Sequence, residues 1–320
     1  MTAVAAARST LVVGSDAGPE LTALLRAALG DRAGVDIVEI DPARDPGSAR
    51  PTVLFAGFRR DGLPPAWLTD VRWVHVPSAG IDGIAADLFD GRLVTGGRGI
   101  AADPIAEYVV HALLLAAKGD LWVNRAWVRQ TDLPVGGPRM LGDSTVGLVG
   151  LGAIGTAIAT RLQAFGTRTV AVRATTAPAA VAGVELLPTL AAMLPHVDHL
   201  VVAVPATPAT RALIGAEAFA RVKRGVHLVN VARGSVVDHD ALRDALDDGQ
   251  VGSATLDVTD PEPLPDGHWL LSHPRVRVSP HLSFQRPSVV SDVVGRFVDN
   301  VDRYQAGEPL LGVVDPIRGY

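Results

Sequence analysis

Three polar residues in the second half of the chain have the types that proton transfer on an anionic substrate requires. Arg233 follows the predicted strand LVNVA, Glu262 lies in TLDVTDPEPLP, and His281 lies in VRVSPHLSF. An imidazole can donate or accept a proton near neutral pH, and a carboxylate on its far ring nitrogen favours the charged form. A guanidinium binds a carboxylate through two parallel hydrogen bonds. These residues predict an acid–base site. Each also has a structural alternative: a helix-capping arginine, a loop carboxylate and a satisfied structural histidine.

A glycine-rich turn earlier in the chain indicates a second kind of chemistry. The segment TVGLVGLGAIG places Gly150, Gly152 and Gly155 in G-x-G-x-x-G spacing, after a predicted strand and at the start of a predicted helix. The first glycine permits a tight turn, the second lets the backbone approach a pyrophosphate, and the third allows close helix packing. The N–H groups at the helix N-terminus favour phosphates. We therefore predict a dinucleotide site, the alternative being a glycine-rich turn that binds nothing.

The end of the next predicted strand bears on which dinucleotide is bound. Enzymes that prefer NAD usually carry an acidic residue there, to bind the ribose 2′-hydroxyl. This chain has Arg173, followed by Thr175 and Thr176. A guanidinium and hydroxyls can receive the 2′-phosphate of NADP. We predict NADP as the preferred cofactor and NAD as the alternative, since a solvated arginine would leave the choice open.

Strands and helices alternate along both halves of the chain, which indicates an α/β protein with parallel sheets. The runs TLVVG, VDIVEI, PTVLFAG and RWVHVPS form one series, and six further strands from TVGLVG to VRVSP form another. Helical spacing in SVVSDVVGRFVDNVDRY predicts a helix that returns to the first domain. We predict two doubly wound domains: a flavodoxin-like substrate domain of residues 1–100 and 287–320, and a Rossmann dinucleotide-binding domain of residues 101–286.

The glycine motif and the three polar residues, in this order, resemble the D-2-hydroxyacid dehydrogenase family, which includes glyoxylate and hydroxypyruvate reductases. Asn230–Gly234 matches the pattern N-x-x-R-G, Leu256–Pro263 matches L-D-V followed by P-E-P, and Pro280–His281 matches P-H. Other matching segments are SAGID (Ser78–Asp82), AEYV (Ala106–Val109) and VPATPATRALIG (Val204–Gly215). The resemblance implies hydride transfer between a nicotinamide and a small 2-keto acid or D-2-hydroxy acid.

The resemblance also implies a role for each site residue. His281 would be the acid or base, Glu262 its partner, and Arg233 the ligand of the substrate carboxylate and keto oxygen. Substrate-binding residues would be Ser78, Ala79, Gly80, Arg233 and His281, which places the substrate between the domains. Cofactor-binding residues would be Gly150, Gly152, Ala153, Ile154, Gly155, Arg173, Thr175, Val204, Pro205, Thr210, Val231, Ala232, Arg233, Asp257 and His281, with Asp257 facing the nicotinamide amide.

The chain departs from the family after the catalytic histidine. Many members have two small residues there, whereas this chain has Leu282, Ser283, Phe284 and Gln285, so we expect an altered pocket rim. Phe58, Arg59 and Arg60 follow the third strand and are interpreted as a solvated loop, with recognition of a substrate side chain as the alternative. We expect glyoxylate or hydroxypyruvate as substrate, then larger keto acids such as phenylpyruvates.

Composition limits the compartment and the partners. The net charge is −5, and the chain has no long run of charges of one sign. Both observations argue against a nucleic-acid-binding surface and a polybasic membrane-binding surface. The chain has no cysteine, which excludes disulfides and thiolate metal sites. We expect a cytoplasmic homodimer with no metal, no export signal and no further regulatory domain after Tyr320.

Two clusters of polar residues outside the predicted site could suggest metal ligands. We interpret His196, Asp198 and His199 as a surface turn, because no further ligand group accompanies them. Asp238, in the cluster of residues 238–240, is interpreted as a helix cap. Two functions on the same fold stay open as alternatives: a dinucleotide-sensing, corepressor-like binding protein, and a dehydrogenase for phosphite or another substrate.

Overall fold

The computed structural model describes residues 10–315, apart from residues 31, 33, 42, 45, 46, 49, 58–62, 64, 120–137 and 176–178. Its strands are β1 (Leu11–Ser15), β2 (Val35–Glu39), β3 (Val53–Phe55), β4 (Trp73–Val76), β5 (Leu93–Gly96), β6 (Thr145–Val149), β7 (Arg168–Val172), β8 (Val184–Leu186), β9 (His199–Val202), β10 (Val226–Asn230), β11 (Val251–Leu256) and β12 (Val276–Val278). Its α-helices are α1 (Pro19–Leu29), α2 (Pro65–Leu68), α3 (Ala102–Lys118), α4 (Ala153–Gln163), α5 (Leu190–Met193), α6 (Ala216–Phe219), α7 (His239–Asp247) and α8 (Val289–Ala306).

The chain divides into two compact units. The first comprises residues 1–100 and 287–320, and the second comprises residues 101–286. No helix in the described ranges has both the length and the apolar content needed to cross a bilayer.

The first unit is built on a parallel sheet with strand order β2-β1-β3-β4-β5, which is the flavodoxin-like order. Strands β3 and β4 are buried at every position, as expected of parallel strands covered on both faces. Helix α8 supplies part of this cover because Val294, Phe297 and Val301 lie on one helical face and are buried. The ring of Phe297 packs edge-on against Phe55, with 4.9 Å between ring centroids. The return of the chain after residue 286 therefore completes the core of this unit.

The second unit is built on a seven-stranded parallel sheet with order β12-β11-β10-β9-β6-β7-β8. Six of these strands, β8-β7-β6-β9-β10-β11, follow the Rossmann order, and β12 extends the sheet beside β11. The predicted α/β class with two doubly wound sheets is confirmed. The predicted count of six strands is wrong, because β8 was not recognised in a short segment whose residues are exposed or half-buried.

Helices α3 and α4 pack on one another in the second unit. Their buried side chains share a core cluster with the inner face of the sheet, including Val109 and Leu113 of α3 and Ile158 and Leu162 of α4. This packing fixes α3 beside the strand ends that carry the predicted site.

Candidate functional site

The glycine-rich turn joins β6 to α4, and its three glycines have different reasons to lack a side chain. Gly150 has a φ of +102°, and a Cβ there would lie 2.7 Å from the Ala203 carbonyl oxygen. A Cβ on Gly155 would overlap the Gly150 carbonyl oxygen. Gly152, the N-cap of α4, is exposed, and a Cβ there would meet no protein atom within 4 Å. The fold therefore requires glycine at the first and third positions, while the second suits close approach of a ligand to the helix N-terminus.

Arg173 follows β7 directly, at the strand end next to this turn. The Gly150 amide donates to the carbonyl of Val172, the last residue of β7, at 2.9 Å. Arg173 is half-buried, and its Nε donates to the Thr175 hydroxyl at 2.8 Å. Thr176 lies outside the described residues. A cation and a hydroxyl thus stand together beside the glycine turn, which suits an extra phosphate on the ribose.

The turn after β9 contains three of the predicted cofactor contacts: Val204, Pro205 and Thr210. The Thr210 hydroxyl donates to the Pro205 carbonyl at 2.7 Å and accepts from the Thr207 amide at 2.8 Å. These bonds brace the turn at the same edge of the sheet as the glycine motif, because β6 and β9 are neighbouring parallel strands.

Arg233 is positioned by its own motif. The Asn230 side chain, at the end of β10, donates to the Arg233 carbonyl at 2.9 Å and accepts from the Ala232 amide at 3.0 Å. Val231 and Ala232 are buried, and Arg233 is half-buried with Nη1 donating to the Ala232 carbonyl at 2.9 Å. A Cβ on Gly234 would overlap the Thr259 carbonyl group. The pattern N-x-x-R-G is therefore explained by a clamp on one side of the arginine and by backbone contact on the other.

His281 and Glu262 meet directly. His281 Nδ1 lies 2.7 Å from Glu262 Oε1, and Glu262 Oε2 accepts from the Thr259 amide at 3.3 Å. The two side chains are 35% and 41% exposed, so both reach solvent. Because Nδ1 faces the carboxylate, proton exchange with a substrate would use Nε2. This contact can hold the imidazole in one orientation.

Asp257 has a structural role that the sequence did not indicate: its side chain binds the segment around His281. Its side chain is 1% exposed, and its carboxylate accepts from the Ser279 hydroxyl at 2.6 Å and the Leu282 amide at 2.9 Å. The Ser283 amide donates to both carboxylate oxygens, at 3.2 and 3.1 Å. The predicted contact with a nicotinamide amide stays a prediction. What the structure gives Asp257 is the anchoring of the segment around His281.

Tyr108 is a neighbour of this segment that sequence reasoning missed. Its hydroxyl lies 2.7 Å from the Ser279 hydroxyl, although the two residues are far apart in the chain. The only sequence signal was that Tyr108 lies within the matching segment AEYV and that Ser279 directly precedes P-H.

Phe284 and Gln285, two of the four residues that follow His281, take different positions. The Phe284 ring stands edge-on to His281 at 5.8 Å between centroids and packs against the α3–α4 core. Gln285 is exposed and lines a cavity of about 310 Å³ together with Tyr108 and Arg286. Their expected effect on the pocket rim stays a prediction. Phe58, Arg59 and Arg60, which were predicted to form a solvated loop after the third strand, lie outside the described residues.

Ser78, Ala79 and Gly80 belong to the first unit, in the loop after β4. The Ser78 hydroxyl donates to the Gly80 carbonyl at 2.6 Å, and the Gly97 amide donates to the Ser78 carbonyl at 2.8 Å. The loop is thus held by local bonds at the carboxyl end of a buried strand. Its predicted role in substrate binding stays a prediction.

One of the polar clusters outside the site was placed wrongly. His199 was predicted on a surface turn, but it begins β9, is 7% exposed, and its Nδ1 lies 3.2 Å from Nδ1 of His227 on β10. Asp238 caps α7 as predicted, accepting from the Asp240 and Ala241 amides. Within the described ranges, no group of three or more His, Asp or Glu side chains is arranged to hold a metal ion.

Comparisons with known proteins agree with this arrangement. A family model described as D-isomer specific 2-hydroxyacid dehydrogenase, NAD binding domain, matches residues 111–283. A glycerate dehydrogenase of Methylorubrum extorquens is 31% identical over 257 residues, which are 76% of this chain and 78% of that protein.

Solved structures cover nearly the whole chain. A D-isomer specific 2-hydroxyacid dehydrogenase from Xanthobacter autotrophicus Py2, in complex with NADPH and MES, has a TM-score of 0.78 and 30% identity, covering 98% of this chain and 100% of that one. An NADPH-dependent glyoxylate/hydroxypyruvate reductase from Sinorhizobium meliloti, in complex with NADP and malonate, has a TM-score of 0.75 and 28% identity, covering 97% and 98%. The chain belongs to the D-isomer specific 2-hydroxyacid dehydrogenase family of nicotinamide-dependent oxidoreductases.

Proposed function

We propose that this protein is an NADPH-preferring reductase that converts a small 2-keto acid, glyoxylate or hydroxypyruvate foremost, into the D-2-hydroxy acid. The observation that carries the proposal is the 2.7 Å contact between His281 Nδ1 and Glu262 Oε1 in a solvent-accessible position. An exposed imidazole with a carboxylate on one nitrogen is suited to deliver a proton from the other.

His281 and Glu262 perform the proton transfer in this proposal. During reduction the keto carbon gains a hydride while the keto oxygen takes the proton from His281 Nε2, so a carbonyl becomes a hydroxyl group. Glu262 stabilises the imidazolium before transfer and holds the ring in place through Nδ1. In the reverse direction, neutral His281 accepts the hydroxyl proton through the same nitrogen.

Arg233 supplies the positive charge that an anionic substrate needs. Its backbone is fixed by the Asn230 side chain, so the guanidinium extends from a rigid loop. A planar guanidinium can bind the substrate carboxylate and polarise the keto oxygen through charge-assisted hydrogen bonds. Lysine, with a single point charge, would not replace it well.

The cofactor-binding residues fit a dinucleotide. When bound, a reduced nicotinamide supplies the hydride. Gly152 leaves the N-terminus of α4 open to close approach, because no protein atom lies within 4 Å of the position of its absent Cβ. Arg173 with Thr175 favours NADP over NAD, since a cation and a hydroxyl can bind the 2′-phosphate. The S. meliloti relative, described as NADPH-dependent, adds support for this preference.

The proposal is tested by mixing the purified protein with glyoxylate, hydroxypyruvate, pyruvate or phenylpyruvate and with NADPH or NADH. Loss of the absorbance of the reduced nicotinamide measures turnover. We expect the fastest turnover with NADPH and a two- or three-carbon keto acid, and a loss of about 10² to 10⁴-fold in kcat for His281→Ala. His196→Ala is the matched control, because His196 is exposed in a turn outside the site.

Three other results would contradict parts of this proposal. Unchanged turnover in His281→Ala would remove the proposed acid. Dinucleotide binding without turnover of any keto acid would favour a sensing protein, and turnover of added phosphite would favour the other dehydrogenase. A cytoplasmic location and a homodimer complete the proposal, and light scattering on the purified protein measures the assembly.

A further inference from the structure

A chain of three hydrogen-bonding side chains runs from helix α3 to the segment that carries His281. Tyr108 Oη lies 2.7 Å from Ser279 Oγ, and Ser279 Oγ lies 2.6 Å from Asp257 Oδ1. All three residues belong to the second unit. The chain thus links a helix of the core to the carboxylate that anchors the residues on both sides of His281.

The direction of this chain follows from the number of protons. The Asp257 carboxylate only accepts, and it already receives the backbone N–H groups of two residues after His281. A serine hydroxyl has one proton, which Ser279 donates to Asp257. Tyr108 must therefore donate to Ser279. Burial raises the pKa of the Tyr108 phenol, with the charge of Asp257 adding to the shift and the Ser279 bond opposing it, so the phenol keeps the proton that it donates.

The anchored segment holds His281 in an unusual backbone conformation. His281 has a φ of +51°, a left-handed value that non-glycine residues adopt only where the surroundings impose it. The His281 amide donates to the Asp257 carbonyl at 2.8 Å, while the next two amides, of Leu282 and Ser283, donate to the Asp257 carboxylate. This turn directs the imidazole to Glu262. The position of the proton donor therefore depends on how firmly Asp257 is held.

We propose that Tyr108 is a positioning residue for His281, acting through Ser279 and Asp257. This inference rests on the proposed function, because it assigns Tyr108 to the acid–base step of that reaction. A hydrogen-bond donor on Ser279 polarises its hydroxyl and strengthens its bond to the carboxylate. Loss of that donor loosens the turn, so that His281 reaches the keto oxygen less often while the substrate and the dinucleotide bind as before.

The test compares three single variants in steady-state reduction of the best keto acid. Tyr108→Phe removes the donor and should lower kcat about fivefold, the value of one neutral hydrogen bond. Ser279→Ala should lower kcat about twentyfold, because the carboxylate loses a hydroxyl donor and Tyr108 loses its acceptor. Ser279→Thr keeps the hydroxyl and should restore kcat to within about twofold of the wild type. KM and the dinucleotide Kd should change less than about twofold in all of them.

The double variant shows whether Tyr108 acts through Ser279. In the Ser279→Ala background, Tyr108→Phe should have no further effect on kcat, since its acceptor is already gone. Independent, multiplying effects of the two substitutions would overturn the proposal. Tyr304→Phe is the matched control, because it removes a phenol hydroxyl from the first unit, where the ring stacks on Trp73. It should leave kcat unchanged.

Hydrogen exchange gives a readout that does not depend on activity. The Leu282 and Ser283 amides should exchange faster in Tyr108→Phe than in the wild type, with an unchanged Tm. If the wild type reduces no keto acid, the proposed function fails, and faster exchange still supports the link from Tyr108 to Asp257. If the wild type is active and Tyr108→Phe equals it in kcat and exchange, the positioning role fails alone. For Tyr108→Phe, a lower Tm with an unchanged kcat would also overturn the positioning role. This comparison holds even if Ser279→Ala fails to fold, because it uses only Tyr108→Phe and the wild type.

Discussion

Gly234 and Thr259 are in backbone contact. A Cβ on Gly234 would overlap the carbonyl carbon and oxygen of Thr259. Gly234 follows Arg233, and the Thr259 amide donates to Glu262, so this contact joins the loop of the arginine to the loop of the carboxylate. The relative position of two site residues therefore depends on the absence of one methyl group.

Gly234→Ala is expected to separate the two loops. Because the obstacle is backbone that cannot rotate away, we expect a loss of about 1 to 3 kcal/mol in the free energy of unfolding. We also expect a loss of keto-acid reduction, because Arg233 and Glu262 move apart. Gly295→Ala is the control, because a Cβ there would meet nothing within 4 Å. Alanine in the interior of helix α8 should raise the free energy of unfolding by up to about 1 kcal/mol. Full activity in Gly234→Ala would contradict this account of the motif.

Glu262→Gln removes the charge beside His281 and retains the shape of the side chain. The amide oxygen can still accept from Nδ1, but it does not stabilise the imidazolium, so kcat should fall about 100-fold. Initial rates at saturating keto acid measure the effect. Glu185→Gln makes the same change on the surface of this unit, where Glu185 pairs with Arg168, and should leave kcat unaltered. A kcat for Glu262→Gln within about twofold of the wild type would mean that the carboxylate charge does not assist the acid.

Gly152→Ala and Gly155→Ala separate ligand binding from folding within one motif. An added methyl at Gly152 meets no protein atom within 4 Å, so the Tm should hold while the NADPH Kd rises about tenfold or more. The methyl at Gly155 would overlap the Gly150 carbonyl oxygen, so unfolding should become easier by about 3 kcal/mol or more. Isothermal titration and thermal melts distinguish the two effects. An unchanged Kd in Gly152→Ala would place the pyrophosphate elsewhere.

Arg173→Ala tests cofactor preference. The guanidinium stands after β7 with its Nε on the Thr175 hydroxyl, and its loss removes a charge-assisted bond of about 1.5 to 3 kcal/mol to a 2′-phosphate. The kcat/KM for NADPH should therefore fall about 10- to 100-fold, while that for NADH should change little. Arg224→Ala, on an exposed turn, is the control. An equal fall for both dinucleotides would mean that Arg173 supports the fold and does not select the cofactor.

The features predicted from sequence are those that a short segment determines by itself. Runs of β-branched residues identify buried parallel strands such as VHLVN of β10, and the glycines of a strand-to-helix turn are required locally. The motif around Arg233 is also local, since the Asn230 side chain bonds to the backbone of Ala232 and Arg233, two and three residues further on. Strand β8 was missed because three edge residues, Val184–Leu186, are too few to show a periodic pattern.

The features that sequence did not reveal depend on pairing between distant segments. His199 looked like a surface residue because histidine is polar, yet it lies opposite His227 in the register of β9 and β10. That partner is known only once the strand order is known. The contact from Tyr108 to Ser279 likewise joins a helix to a strand end, and neither residue type predicts a contact with the other.

Buried neutral histidines make the fold sensitive to acid. Burial, with the charge of Arg296, lowers the pKa of His75 to about 3. Burial, with the charges of His199 and Arg277, lowers the pKa of His227 to about 3. Burial also lowers the pKa of His199 to about 4, with Asp198 opposing the shift. The Nδ1–Nδ1 hydrogen bond between His199 and His227 requires that one of these nitrogens carry no proton.

The stabilising effect of these groups is fully present above a pH of about 6.5, the pKa of an unfolded histidine. Below it the unfolded chain binds a proton at each imidazole while the folded chain does not, so acid favours unfolding until the folded pKa of about 3 to 4 is reached. At pH 5 each of the three histidines should lower the free energy of unfolding by about 2 kcal/mol relative to pH 8. Urea unfolding at both pH values measures the sum.

His75→Phe tests one of these groups by itself. A phenyl ring keeps an aromatic side chain against Phe55 and Phe297, which pack on the imidazole, and it removes the group that titrates in the unfolded state. The substitution also removes the hydrogen bond between His75 Nδ1 and the Thr95 hydroxyl, a loss of stability that is the same at both pH values. The loss of unfolding free energy between pH 8 and pH 5 should therefore shrink by about 2 kcal/mol in the variant. His196→Phe makes the same substitution at an exposed position and serves as the control. A pH dependence of His75→Phe equal to that of the wild type would show that His75 is already protonated in the folded protein near pH 5, and that burial does not keep it neutral.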